Sequence, residues 1–161
     1  MMDLQSNCEN CGAPLKGHIC PFCGTSFDPS PTLSDQMIAL DQLHAALSEA
    51  ESERRVALLT AGYIPEDAGA LIEAGVKCIP LVNLAFSATQ ETHAAVDRLR
   101  AITAKLRILD RTPETSRAIG EFSEVIRVFD RKDRSDTLLG CSLLTILVIV
   151  VLIALVYYFV R

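Results

Sequence analysis

The sequence predicts a mainly α protein in three parts: a small N-terminal β-knuckle module, a helical cytoplasmic domain, and a single C-terminal transmembrane helix. Three observations carry this. Four of the six cysteines are gathered within residues 8–23. Apolar residues then recur at three- and four-residue steps through most of residues 33–134, the period of an amphipathic helix. Finally, Leu138 to Val160 contains no charged side chain. The boundaries that follow are 1–27 for the module, 28–32 for a Pro-rich linker, 33–134 for the helical domain and 137–160 for the span.

The cysteines read Cys8-Glu9-Asn10-Cys11, then, after a short connector, Cys20-Pro21-Phe22-Cys23. Two C-x-x-C knuckles converging on one point supply four thiolates, the donor set of a structural tetrahedral zinc site. Gly12 and Gly24 follow the second cysteine of each pair, where a turn back toward sulfur needs a positive φ that glycine permits. One structural Zn2+ on Cys8, Cys11, Cys20 and Cys23 is therefore expected. The same ligands also suit iron. Paired disulfides fit less well, since no cleavable signal peptide precedes them, and thioredoxin-like chemistry would want one C-x-x-C in a βαβ setting. His18 lies two residues before a ligand, but four cysteines already complete the shell.

Cys8-Glu9-Asn10-Cys11-Gly12-Ala13-Pro14-Leu15 followed by Cys20-Pro21-Phe22-Cys23-Gly24-Thr25 resembles the short zinc-ribbon family found at the ends of many prokaryotic membrane proteins. Its pattern is C-x-x-C-G-A-x-L, a brief connector, then C-P-x-C-G. The resemblance covers residues 6–27 and implies a pair of zinc knuckles carried by the same four cysteines. The family serves unrelated processes, so it names a metal and not a task.

Charge is unevenly placed. Residues 1–97 hold four basic against thirteen acidic side chains, whereas residues 98–134 hold ten basic against six acidic. After the linker Asp28-Pro29-Ser30-Pro31, Thr32 or Ser34 can cap a helix whose apolar face is Leu33, Met37, Leu40, Leu43 and Leu47. This helix runs on through a charged stretch to Val56, Leu58 and Leu59, with Gly62 as its stop. Pro65-Glu66-Asp67 favours a helix start, and Gly75 a helix end. Val76–Ile79 reads as a short strand or a buried connector. Residues 80–110 form the longest helical candidate, with a break near Ser87–Glu91. Leu84, Val96, Leu99, Ile102, Leu106 and Leu109 form its stripe, and Arg98, Arg100, Lys105 and Arg107 decorate its other faces. Thr112-Pro113-Glu114 opens the last helix of the domain, where Ile119, Phe122, Val125, Ile126 and Phe129 share a face. These stripes describe an intramolecular core, with a partner-binding coiled coil or a homo-oligomer through the helices as the alternative. Cys78 and Cys141 are isolated and read as small buried apolar residues.

The uncharged stretch 138–160 spans ~34 Å as a helix, enough for a bilayer core. Arg127, Arg131, Lys132 and Arg134 precede it and Arg161 alone follows, so the positive-inside tendency keeps the N-terminus cytoplasmic. A single-pass, tail-anchored protein of a bacterial inner membrane is the expectation. Free Cys78 and a thiolate site both suit a reducing compartment.

No nucleophile system, phosphate-cradling loop or acid/base pair stands out, so an enzyme is not expected. Nucleic acid is an unfavoured partner, because residues 1–30 offer only Lys16 as a base and four thiolates on zinc add negative charge. The expected function is an adaptor or assembly subunit that recognises an unspecified protein partner at the cytoplasmic membrane face. Its rivals are an oligomeric, channel-like or membrane-perturbing subunit with a zinc-ribbon sensor, and a thiolate redox sensor. The Pro-rich linker further suggests a module that moves independently of the helices.

Overall fold

A computed structural model describes residues 6–15, 17–28, 31–86, 89–109 and 112–135. It opens with two short antiparallel strands, β1 (Ser6–Asn7) and β2 (Pro14–Leu15), paired Ser6 to Leu15 and Asn7 to Pro14. A single further bridge joins Ile19 to Ser26. The helices follow: α1 (Leu33–Glu49), α2 (Ser52–Ala61), α3 (Ala68–Cys78), α4 (Gln90–Ile108), and helical backbone over residues 113–135, α5 here.

Local chemistry sets most helix starts. Thr32 caps α1 through a capping box: its hydroxyl accepts from the Asp35 amide at 3.2 Å, while the Asp35 carboxylate accepts from the Thr32 amide at 3.0 Å. That bonding holds the Asp35 carboxyl below the usual carboxylate range. Asp67 caps α3 by accepting from the Gly69 and Ala70 amides, and Thr89 caps α4 by accepting from the Thr92 amide. The expected continuous helix from Leu33 to Gly62 is instead broken at Ala50 and Glu51, which are extended. Arg55 closes this corner. Its guanidinium donates to the Leu47 and Ala50 carbonyls at the open end of α1 and pairs with Glu91 near the start of α4.

The core lies where α4 packs on α2 and α3, with Leu43, Leu59, Leu71, Leu99, Ile102, Leu106 and Phe122 buried together. The stripe read from Val96 to Leu106 is buried as expected, whereas Leu33 is exposed. α5 lies antiparallel to α4, as the pairings of Arg107 with Ser123, Arg100 with Asp130 and His93 with Asp133 require. Val76–Cys78 is neither strand nor connector: α3 continues through it, and Ile79–Leu81 then forms a 3-10 turn. Gly75 accordingly does not end the helix. It is buried inside α3, where a Cβ would overlap the ring of Phe122.

Arg98, expected on the surface, is buried. Its guanidinium donates to the carbonyls of Leu59, Gly62 (3.0 Å) and Tyr63, capping the C-terminal end of α2, where a cation also complements the helix dipole. Burial pulls it below the usual guanidinium range, and nearby Cys78 opposes that shift. Replacing it should strand these carbonyls in the interior. We expect Arg98→Met to lower unfolding free energy by about 2–3 kcal/mol in urea melts, since an unsatisfied buried acceptor costs ~1–3 kcal/mol.

The fold class needs one correction. No helix among the described residues is long and apolar enough to cross a membrane. The physical reason is visible in α4, the longest helix with both ends described, whose outer faces carry Asp97, Arg100, Lys105 and Arg107. The described chain is thus mainly helical with an N-terminal cysteine module, and no transmembrane helix belongs to it. The segment 137–160 to which that role was assigned, with Cys141, lies outside the described residues, as do Pro29 and Ser30 of the linker.

Candidate metal centre

The two knuckles are built alike. In the first, the Gly12 amide donates to the Cys8 carbonyl at 2.7 Å and the Cys8 amide to the Ala13 carbonyl at 2.8 Å. In the second, Gly24 donates to Cys20 and Cys20 to Thr25, both at 2.9 Å. Gly12 and Gly24 both have φ of 73°, a left-handed conformation that a side chain would strain. Each C-x-x-C-G segment therefore forms the same turn, with its two sulfurs on one side.

The four sulfurs of Cys8, Cys11, Cys20 and Cys23 lie within 4.8 Å of one another. Cys8 approaches Cys23, and Cys11 approaches Cys20, at 3.6 Å each. Four sulfurs ~2.3 Å from a tetrahedral ion would sit ~3.8 Å apart, so the cluster fits a metal. It does not fit disulfides, and all four thiols are free. It is the only such ligand group among the described residues, and His18 stays outside it. The first cysteine of each pair is buried, whereas Cys11 is exposed and Cys23 partly so.

Backbone amides lower the Cys11 and Cys20 thiols, but burial and neighbouring sulfurs leave both raised. For Cys20, burial pushes the thiol up to about 12, against amide hydrogen bonds from Phe22 and Cys23 that lower it. For Cys23, burial raises the thiol, but the hydroxyl and amide of Thr25 and the neighbouring sulfurs bring it down to about 6. Thr25 holds a second tie, accepting from the Asn10 side-chain amide at 3.1 Å and so linking the two knuckles. Neither Asn10 nor Thr25 carries a sequence signal for this role. A metal would replace the thiol protons, and its four protein ligands leave no open position for substrate, which is the pattern of a structural site.

The module does not stand apart from the helices. The Tyr63 amide donates to the Pro21 carbonyl at 2.9 Å. Ile19 is buried with Ala39 and Tyr63, and Phe22 packs against the main helical core. Tyr63 acts here through packing, since its buried hydroxyl has no hydrogen-bond partner among the described residues. The independent module expected from the linker is thereby overturned: apolar side chains of the second knuckle are buried against α1 and the segment after α2, and separating them would expose that surface to water. Phe27 remains largely exposed.

Fold and site together define a mainly helical protein with an N-terminal four-cysteine module able to hold a metal ion. Comparison with family models, with curated proteins and with solved structures finds no match.

Proposed function

We propose that this chain is a zinc-bearing, membrane-attached adaptor that presents a composite protein-recognition surface in the cytoplasm. The observation that carries the proposal is the closed four-sulfur cluster docked on the helices, which serves to shape a surface and leaves no position for catalysis. Zinc is the metal that best suits four thiolates in a site with a purely structural role. The recognition surface includes exposed apolar side chains near the module, Phe27, Leu33 and Ile38, with Ile38 close to Gly17. Attachment rests on the sequence, in which 138–160 is uncharged.

Two measurements test this. Affinity capture from detergent extracts should recover a defined partner with the intact chain and lose it when Cys8 and Cys20 are both changed to Ser. Equal capture by both forms would show that the metal module takes no part. Removing residues 136–161 should move the chain from the membrane to the soluble fraction, and it should stay there after a high-salt wash. Sedimentation of the shortened chain with membranes would assign attachment elsewhere.

A further inference from the structure

Between α4 and α5 lies a groove of about 730 Å³ lined by Arg100, Arg107, Arg127, Arg131, Arg134 and Asp130. Arg100 and Arg107 are seven residues apart on α4, two helical turns, and so share a face. Arg127, Arg131 and Arg134 do the same on α5 by steps of four and three. Two rows of guanidinium groups thus look into one space across an antiparallel helix pair. Some of that charge is already met: Arg100 pairs with Asp97 and Asp130, and Arg127 with Glu124. Arg107 donates to the Ser123 hydroxyl at 3.2 Å, and among the described residues Arg107, Arg131 and Arg134 form no ion pair. Glu124, already paired with Arg127, also acts electrostatically on Arg131, yet the five lining arginines still outnumber Asp97, Glu124 and Asp130, and their mutual repulsion opposes such an arrangement. Ser123 and Ser135 add hydroxyl groups to the lining.

We propose that this groove binds the phosphate of an anionic lipid headgroup. Guanidinium groups match the oxygens of an oxyanion in paired hydrogen bonds, which favours phosphate over a halide, and several guanidinium groups around one space suit the multiple oxygens of a phosphate. The choice of a lipid over a soluble phosphate comes from the chain itself. Ser135 lines the groove, and Leu138, the first residue of the uncharged stretch, follows three residues later. Three residues reach at most ~11 Å. If that stretch attaches to a bilayer, as the proposed function holds, the groove is tethered within the headgroup layer, where anionic phosphates are concentrated. Lipid contact would then fix the helical body's orientation on the membrane and leave the acidic N-terminal half facing away.

The test uses the full chain in neutral detergent micelles, titrated by calorimetry with dihexanoyl phosphatidylglycerol, dihexanoyl phosphatidylcholine and inorganic phosphate. Saturable binding of the anionic lipid is expected, with the choline lipid and inorganic phosphate each at least about tenfold weaker. Arg107→Gln should weaken the anionic lipid about fivefold, and Arg131→Gln with Arg134→Gln about thirtyfold, with melting curves unchanged. Loss in the α5 variant without any in Arg107→Gln would reduce the site to a linear basic stretch and overturn the groove. Equal binding of the choline lipid would overturn charge recognition, and inorganic phosphate binding as tightly as the lipid would make it a soluble-anion site. Binding of oligoglutamate in the absence of lipid binding would assign the groove to an acidic protein. The membrane reading fails separately: an intact chain found in the soluble fraction sinks that reading, whereas a membrane-bound chain indifferent to headgroup charge sinks only the groove.

Discussion

A Cys8→Ser, Cys20→Ser double variant should lose its metal and the fold of residues 6–27, yet keep most of its helical circular dichroism. Apart from its docking on the helices, the N-terminal module has little internal structure to hold it: two-residue strands, one further bridge, and a small cluster of Cys8, Leu15 and Cys20. Chains of this size need a metal or a cross-link to fold, and structural zinc supplies ~10–16 kcal/mol in such modules. The helices have a separate core, so they persist. They should nevertheless melt earlier, because an unfolded module uncovers Ala39, Tyr63 and part of the main core beside Phe22. Elemental analysis should give one zinc per intact chain and none in the variant, and a chelator should reproduce the variant's melting curve. A metal-free intact chain with the same melting temperature as the zinc form would refute the structural role, and iron at full occupancy would refute the metal assignment.

Phe122→Ala should be the most damaging single substitution in the helical core, costing about 3–5 kcal/mol. The ring is fully buried, stands directly over Gly75, and joins α5 to α3. Truncation leaves a cavity at a place where the backbone of α3 has already come as close as it can. The complementary experiment starts from the glycine. Alanine at Gly75 would gain ~1 kcal/mol of helix propensity but collide with the ring, so Gly75→Ala should destabilise by about 1–3 kcal/mol. In the Phe122→Ala background the same change should become neutral or favourable, because the space is then open. Additive effects in chemical denaturation would show that the two residues do not share this contact.

What was legible in the sequence is what is decided within a few residues. Each cysteine knuckle is a five-residue turn whose glycine and sulfur spacing leaves few conformations, and the four sulfurs fall together as read. Thr32 and Asp67 begin helices for equally local reasons, whereas the helix read over residues 80–110 starts only after Thr89. Several misreadings involve contacts between distant segments. Gly75 looks like a helix end until Phe122, far along the chain, is placed on it. Arg98 looks like surface because its partners, the carbonyls ending α2, cannot be known before α2 and α4 are packed. The linker's prolines suggest freedom, but Ile19 is buried with Ala39 and a tyrosine at position 63 that has no motif of its own, and Phe22 is partly buried against the helical core. The basic groove was seen only as a charged run on α5, since its other wall belongs to α4.

The clasp at Tyr63 bears on whether the cysteine module is portable. A short cysteine module with a repeated motif invites exchange, by grafting or by recombination, for another four-cysteine module of the same spacing. Here Tyr63 is held from two sides, its amide by Pro21 and its carbonyl by Arg98. The residues between the second pair of cysteines, and the isoleucine before it, are shaped to this particular body. A donor module with the same four cysteines could keep their cluster, but it would leave a hydrophobic scar across α1 and the segment after α2. The unit of inheritance in this protein is therefore the cysteine module together with its landing site, and a functional chimera must carry both.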